Sequence, residues 1–149
     1  MKISLITACY NSAATIRSCF DSVLSQQGVD LEYIVVDGGS KDGTVDIVKE
    51  YAARPVRPTS PVSPVIKWIS EPDKGMYDAI NKGIKMATGD IVGILNADDL
   101  FELENTLAHV VNCFGRVEHV ERVEYSFIIS TVPSLLPPST TIYSRSTPC

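Results

Sequence analysis

The sequence predicts an α/β fold, a mostly parallel sheet flanked by helices, and three observations carry that expectation. Short apolar runs rich in Ile, Val and Leu alternate along the chain with segments whose apolar residues recur three and four positions apart, the pattern of strands joined by crossover helices. Each apolar run ends in a polar loop rich in Gly, Asp, Asn or Ser. With 149 residues, 44% hydrophobic and 21% charged, the chain is long enough to bury one core.

The first run, "KISLITA" at 2–8, ends in "CYNS" and reads as a buried strand followed by a loop in which Asn11 or Ser12 caps a helix. That helix spans Ala13 to Gln27, with Ile16, Phe20, Val23 and Leu24 at helical spacing and Gly28 as its stop signal. The unit repeats: "LEYIVVD" is a strand, "GGSKDGT" a loop, and "VDIVKEYAA" a helix with Val45, Val48 and Ala52 on one side.

Residues 55–64 hold Pro55, Pro58, Pro61 and Pro64; proline lacks the N–H that a helix interior or a ladder requires, so this stretch is expected to be an extended surface loop. "VIKWIS" is the third strand, and a helix over 76–87 places Met76, Ala79, Ile80, Gly83, Ile84 and Ala87 on one face. "DIVGIL" is the fourth strand, followed by a helix at 102–114. Beyond it the rhythm breaks: "VERVEYSFIIS" reads as a further strand, but 115–149 as a whole is an atypical tail, closing in Ser/Thr/Pro sequence without usable periodicity and expected to be poorly ordered.

A net charge of −5 argues against binding nucleic acid through a general basic face, which needs clustered Lys and Arg. The four cysteines, Cys9, Cys19, Cys113 and Cys149, form no CxxC pair and have no histidine at zinc-finger spacing. The N-terminal apolar run is too short for a secretory signal, and no stretch approaches the roughly 20 apolar residues of a membrane span. These features predict a cytoplasmic protein with reduced thiols.

In an open parallel sheet, ligands bind beyond the carboxyl ends of the strands. The loops there are "CYNS", "DGGSKDGT", "SEPDKG" and "NADD". Asp37 can accept hydrogen bonds from a base or ribose, or simply close a turn in which Asp42 to Thr44 cap the next helix. Asp78, Asn81 and Lys85 form a polar stripe on the third helix. Asp98 and Asp99 follow a buried strand; adjacent carboxylates repel, and a divalent cation relieves that repulsion. The same two acids can instead cap the helix that follows, and this stretch alone leaves both readings open.

Taken together, "TACYNSAATIRSCFDSVLSQ", "YIVVDGGSKDGT" and "DKGMYDAINKGIKMATGDIVGILNADD" resemble, in order, the donor-binding half of the family 2 glycosyltransferases with a GT-A (Rossmann-like) fold. The resemblance covers roughly residues 3–114 and assigns 1–114 to the nucleotide-sugar-binding part of such a domain. It implies transfer of a sugar from a nucleotide diphosphate, usually UDP, to a hydroxyl acceptor, mostly with inversion, in cell-surface polysaccharide or glycan synthesis. Thr7, Cys9, Tyr10 and Asn11 would line the nucleoside and Asp37 would contact the base. Asp73, Lys74, Asp78 and Asn81 would lie along the donor, with Asn96, Ala97 and Asp98 at its diphosphate.

The family's metal motif, two acids one residue apart, falls on Asn96 and Asp98 with Asp99 beside them. Asp98 is the first choice and Asp99 the second for an Mg2+ or Mn2+ ligand. The first acid is Asn here, which keeps an oxygen ligand and loses a charge. The implied partners are the donor and a glycan or lipid-linked acceptor, with peripheral contact at the inner face of the membrane.

Inverting transfer also needs a base to deprotonate the acceptor, and no counterpart is found. Glu118, Glu121 and Glu124 fit an ordinary amphipathic segment, and His109 and His119 read as helix-surface residues. A truncated gene, a shifted frame or a fragment would each give such an ending, so the alternative expectation is a nucleotide-sugar-binding fragment without turnover. A dinucleotide-dependent oxidoreductase shares the strand–helix rhythm, but "TACYNSAA" lacks the GxGxxG turn that pyrophosphate approach requires.

Overall fold

A computed structural model of the chain describes residues 1–54 and 65–115, together with the backbone of 125–129 and 141–143. The expected proline-rich loop and most of the tail, including Glu118, Glu121, Glu124 and His119, lie outside the described residues. The elements run β1 (Lys2–Cys9), α1 (Ile16–Leu24), β2 (Asp30–Asp37), α2 (Thr44–Ala52), β3 (Val65–Ser70), α3 (Met76–Met86), β4 (Ile91–Leu95), α4 (Thr106–Gly115), β5 (Tyr125–Ile129) and β6 (Thr141–Tyr143). They form one sheet of order β3-β2-β1-β4-β5-β6. All neighbours are parallel except β5 and β6.

Successive side chains of a strand point to opposite faces, and that alternation sorts the core into two layers. Ile3 and Leu5 of β1, Leu31, Tyr33 and Val35 of β2, and Ile91 and Leu95 of β4 pack with α1, α2 and Leu107 of α4. Ile6, Ile34 and Val36 face the other way, onto Ala79 of α3. Phe20 joins the first layer, edge-on to Tyr33 at 5.3 Å and stacked on Tyr51 at 4.5 Å between centroids. Each such pair adds about 1 kcal/mol beyond area burial.

Three local expectations change. The buried face of α2 is Thr44, Ile47, Val48 and Tyr51 rather than Val45, Val48 and Ala52, because Tyr51 stacks on Phe20 and sends its hydroxyl to Asp21 at 2.8 Å. In α3 only Ala79, Ile80 and Gly83 are buried, while Met76 and Ile84 are exposed. Neither Asn11 nor Ser12 caps α1 through its side chain; the N-cap is Thr15, and the Ser12 carbonyl accepts the Thr15 and Ile16 N–H groups.

Gly83 sets how closely α3 approaches the sheet. A Cβ there would lie 2.5 Å from Ile6 Cγ2, inside any normal contact, so the helix rests on β1 through a residue without a side chain.

At the amino ends of the strands, Glu32 is only 2% exposed. Its carboxylate accepts hydrogen bonds from Ser4 Oγ at 2.5 Å and from Thr88 N and Oγ1 at 2.8 and 2.9 Å. It also pairs with Lys67 Nζ at 2.6 Å and Lys2 Nζ at 3.6 Å. Burial disfavours its charge, but the bond from Lys67 and those from Ser4 and Thr88 outweigh burial and hold its pKa at about 2. One side chain thus ties β1, β2, β3 and the α3–β4 turn together.

Candidate active site

Parallel register brings Cys9, Asp37 and Ser70 side by side at the carboxyl ends of β1, β2 and β3. The strand order reverses direction between β1 and β4, and a crevice opens at such a switch point because the loops on either side turn away from each other. Two adjoining cavities lie along these strand ends, the first beyond β1, β2 and β3 and the second at the switch point between β1 and β4. The first, about 680 Å³, is lined by Cys9, Tyr10, Gly38, Gly39, Lys41, Pro72, Asp73 and Gly75 among others; the second, about 520 Å³, by Asn11, Ser12, Thr15, Asn96, Ala97 and Asp98 among others. Ala8 and Met76 belong to both.

Asp37 is buried to 1% exposure beneath the first cavity. It accepts bonds from the Gly39 and Ser40 N–H groups at 3.0 Å each, from Ser70 Oγ at 2.7 Å, from Ser40 Oγ, and a longer contact from Cys9 Sγ at 3.7 Å. Burial raises its pKa, and the donors of Ser40, Ser70 and Gly39 outweigh that, leaving it below the usual carboxylate range. Burial first, and then this adjacent charge, push the Cys9 thiol well up, so it stays protonated.

The loops after β1 and β2 are laced together. Asn11 adopts a left-handed φ of 49°; its N–H donates to Ser40 Oγ at 2.7 Å, and its Oδ1 accepts the Lys41 N–H at 3.0 Å. The Ser12 N–H donates to Thr44 Oγ1 at 2.8 Å and the Ala13 N–H to Asp42 Oδ2 at 2.9 Å. Asp42 also accepts the Thr44 N–H at 3.0 Å. The bonds from Thr44 and Ala13 lower its pKa.

The other expected residues divide by position. Cys9, Tyr10 and Asp73 line the first cavity, and Asn11, Asn96, Ala97 and Asp98 the second. Thr7 is buried within the sheet, its Oγ1 accepting from Tyr33 Oη at 3.0 Å, and lies on neither wall. Lys74, just before α3, and Asp78 and Asn81, in its first and middle turns, lie outside both linings. Asp78 accepts the Lys74 N–H at 3.2 Å, which lowers its pKa, and pairs with Lys82 at 3.5 Å.

Asp99 accepts a bond from Asn96 Nδ2 at 2.9 Å, whereas exposed Asp98 has no hydrogen-bond or ion-pair partner among the described residues. Because α4 starts at Thr106, neither acid caps it. Among the described residues no group of three or more His, Cys, Asp or Glu side chains could hold a metal ion. Lys41 is an addition that the sequence did not single out; its place in a strand-end loop was the available signal. His109 is exposed on α4, as expected, and no described helix is long and apolar enough to cross a membrane.

A crevice at the switch point of a doubly wound sheet, walled by polar loops, defines an α/β ligand-binding domain. Two solved structures give it a closer class, the GT-A glycosyltransferase fold. The mannosyltransferase PcManGT from Pyrobaculum calidifontis, in complex with GDP-Man and Mn2+, matches at a TM-score of 0.65 and 32% identity over 74% of this chain and 31% of that one. S. aureus TarS matches in fold at a TM-score of 0.69 and 23% identity over 93% of this chain and 39% of that one. The glycosyl transferase family 2 model matches residues 4–120, and the chain belongs to that family. A PGL/p-HBAD biosynthesis glycosyltransferase of Mycobacterium bovis is 37% identical over 115 residues, 77% of this chain and 42% of that protein. The chain therefore spans about two fifths of the length of this relative.

Proposed function

We propose that the crevice binds a nucleotide-diphosphate sugar and that the protein moves the sugar to a hydroxyl acceptor with inversion, using Mg2+ or Mn2+. The observation that carries this reading is uncommitted Asp98, on the wall of a cavity at the switch point of a family 2 domain. Asp98 and the side-chain oxygen of Asn96, with Asp99 beside them, offer the hard oxygen donors these ions take, and such ions are commonly held by one or two carboxylates plus substrate phosphates. A bound ion would offset the charge of the leaving diphosphate.

With the diphosphate at Asp98, the nucleoside occupies the first cavity, where exposed Tyr10 offers a ring for stacking. The donor is a UDP-sugar, as the sequence resemblance implies; GDP is the competing case, because the 32% identical mannosyltransferase carries GDP-Man with Mn2+. The acceptor is a glycan or lipid-linked hydroxyl in polysaccharide or glycan synthesis, met in the cytoplasm or at the inner face of the membrane.

Calorimetric titration of the 149-residue chain with UDP and GDP, with and without Mn2+, tests the reading. Metal-dependent binding of one of them is expected. Absence of binding to both with Mn2+ present would overturn it.

A further inference from the structure

We infer that Asp73, not Asp37, is the carboxylate that reads the nucleobase, and that it selects bases with an imide-type N–H, as in uracil or guanine. The inference rests on the proposed nucleotide site.

Asp37 has nothing left to offer a ligand. It is 1% exposed, and four donors from Gly39, Ser40 and Ser70, with the Cys9 thiol, converge on its two oxygens. A carboxylate has about four lone-pair positions, so the loop itself fills it. Its part is to shape the floor: the Gly39–Ser40 turn and the ends of β1 and β3 are hung on it.

Asp73 differs on each point. It is partly exposed and lines the first cavity, the one away from Asp98. Its Oδ1 accepts the Gly75 N–H at 2.9 Å, which fixes the side chain, while Oδ2 accepts no hydrogen bond from the described residues. That oxygen lies over the cavity wall at Gly38, 2.6 Å from where a Cβ at residue 38 would be. The carboxylate occupies space that any side chain at 38 would claim, so Gly38 is what allows Asp73 to lean in. The ammonium of Lys41, on the same wall, is a donor suited to an adjacent carbonyl oxygen.

A fixed acceptor with a free oxygen matches uracil N3–H or guanine N1–H. It opposes cytosine, whose N3 is itself an acceptor, so that the two acceptors would face one another across the contact with no donor between them.

The test uses UDP, GDP and CDP, each with Mn2+, titrated into the wild-type chain and into Asp73→Asn. The amide oxygen can keep the Gly75 bond while its NH2 replaces the free oxygen. We expect UDP or GDP affinity to fall about tenfold, the loss of one charge-assisted hydrogen bond, while CDP binding holds or improves. Gly38→Ala, which displaces the carboxylate without removing it, should narrow the same preference, and keeps the test intact if Asp73→Asn fails to fold. Equal losses for all three nucleotides, or a base-selective change from Asp37→Asn instead, would overturn the assignment while leaving the nucleotide site standing. A wild-type chain that binds none of them would overturn both.

Discussion

Replacing Glu32 with Gln should cost the fold about 3 kcal/mol at neutral pH. Glu32 is held from an ordinary 4.5 down to about 2, and each pKa unit is worth about 1.4 kcal/mol between the two protonation states. At 2% exposure little of this is screened by solvent, whereas Lys67 and Lys2 are about a third exposed and can rehydrate. Gln keeps one acceptor oxygen but turns an NH2 toward donors now aimed at a carboxylate, so the loss is not softened by the similar shape. The contribution has a defined pH window. A depressed carboxylate stabilises fully above about 4.5, and that stabilisation is lost as pH falls through about 2. Urea unfolding of both chains from pH 7 downward should show a gap that narrows as pH drops. A difference below about 1 kcal/mol at pH 7, or a gap that stays constant into acid, would refute the reasoning.

Three further outcomes are expected. Asp98→Ala should remove the Mn2+ dependence of nucleotide binding and leave the melting temperature unchanged, since Asp98 has no described partner; undiminished metal dependence, read by calorimetry, would count against the metal assignment. Asn11→Ala should destabilise by about 1–2 kcal/mol, combining left-handed strain with the lost bond to Lys41. Asn11→Gly should cost less because glycine accepts that φ, and a chemical-denaturation series ranking Ala above Gly would contradict this. Gly83→Ala should cost about 1–3 kcal/mol by overpacking against Ile6, and an unchanged unfolding midpoint would show that the helix can slide without penalty.

The alternation of strands and helices was legible because both faces of a parallel sheet are covered, which leaves near-continuous apolar runs such as "YIVVD". The crevice followed from that order and from the polar residues ending each run. Glu32 was not legible: nothing local separates it from an outward-facing strand residue, and its partners Thr88 and Lys67 lie 56 and 35 positions away. Asp37 was legible as an acid at a strand end, but not its saturation, which depends on Ser70, 33 positions on. The inward place of Tyr51 on α2 depends on a distant partner: its ring stacks on Phe20 and its oxygen reaches Asp21, 30 positions away. Periodicity marked Met76 as a core residue, whereas it stands at the mouth of α3 facing the crevice, where a helix has no sheet beneath it.

The contact of Gly83 with Ile6 reaches further than its own layer. Gly75 and Met76, which line the first cavity, stand at the head of the helix that Gly83 seats, eight residues or about 12 Å away along the axis. The clearance of the opening is thus fixed by a missing methyl group on the hidden side of a lever. A family member could retune the ligand it admits from a position that no ligand ever touches.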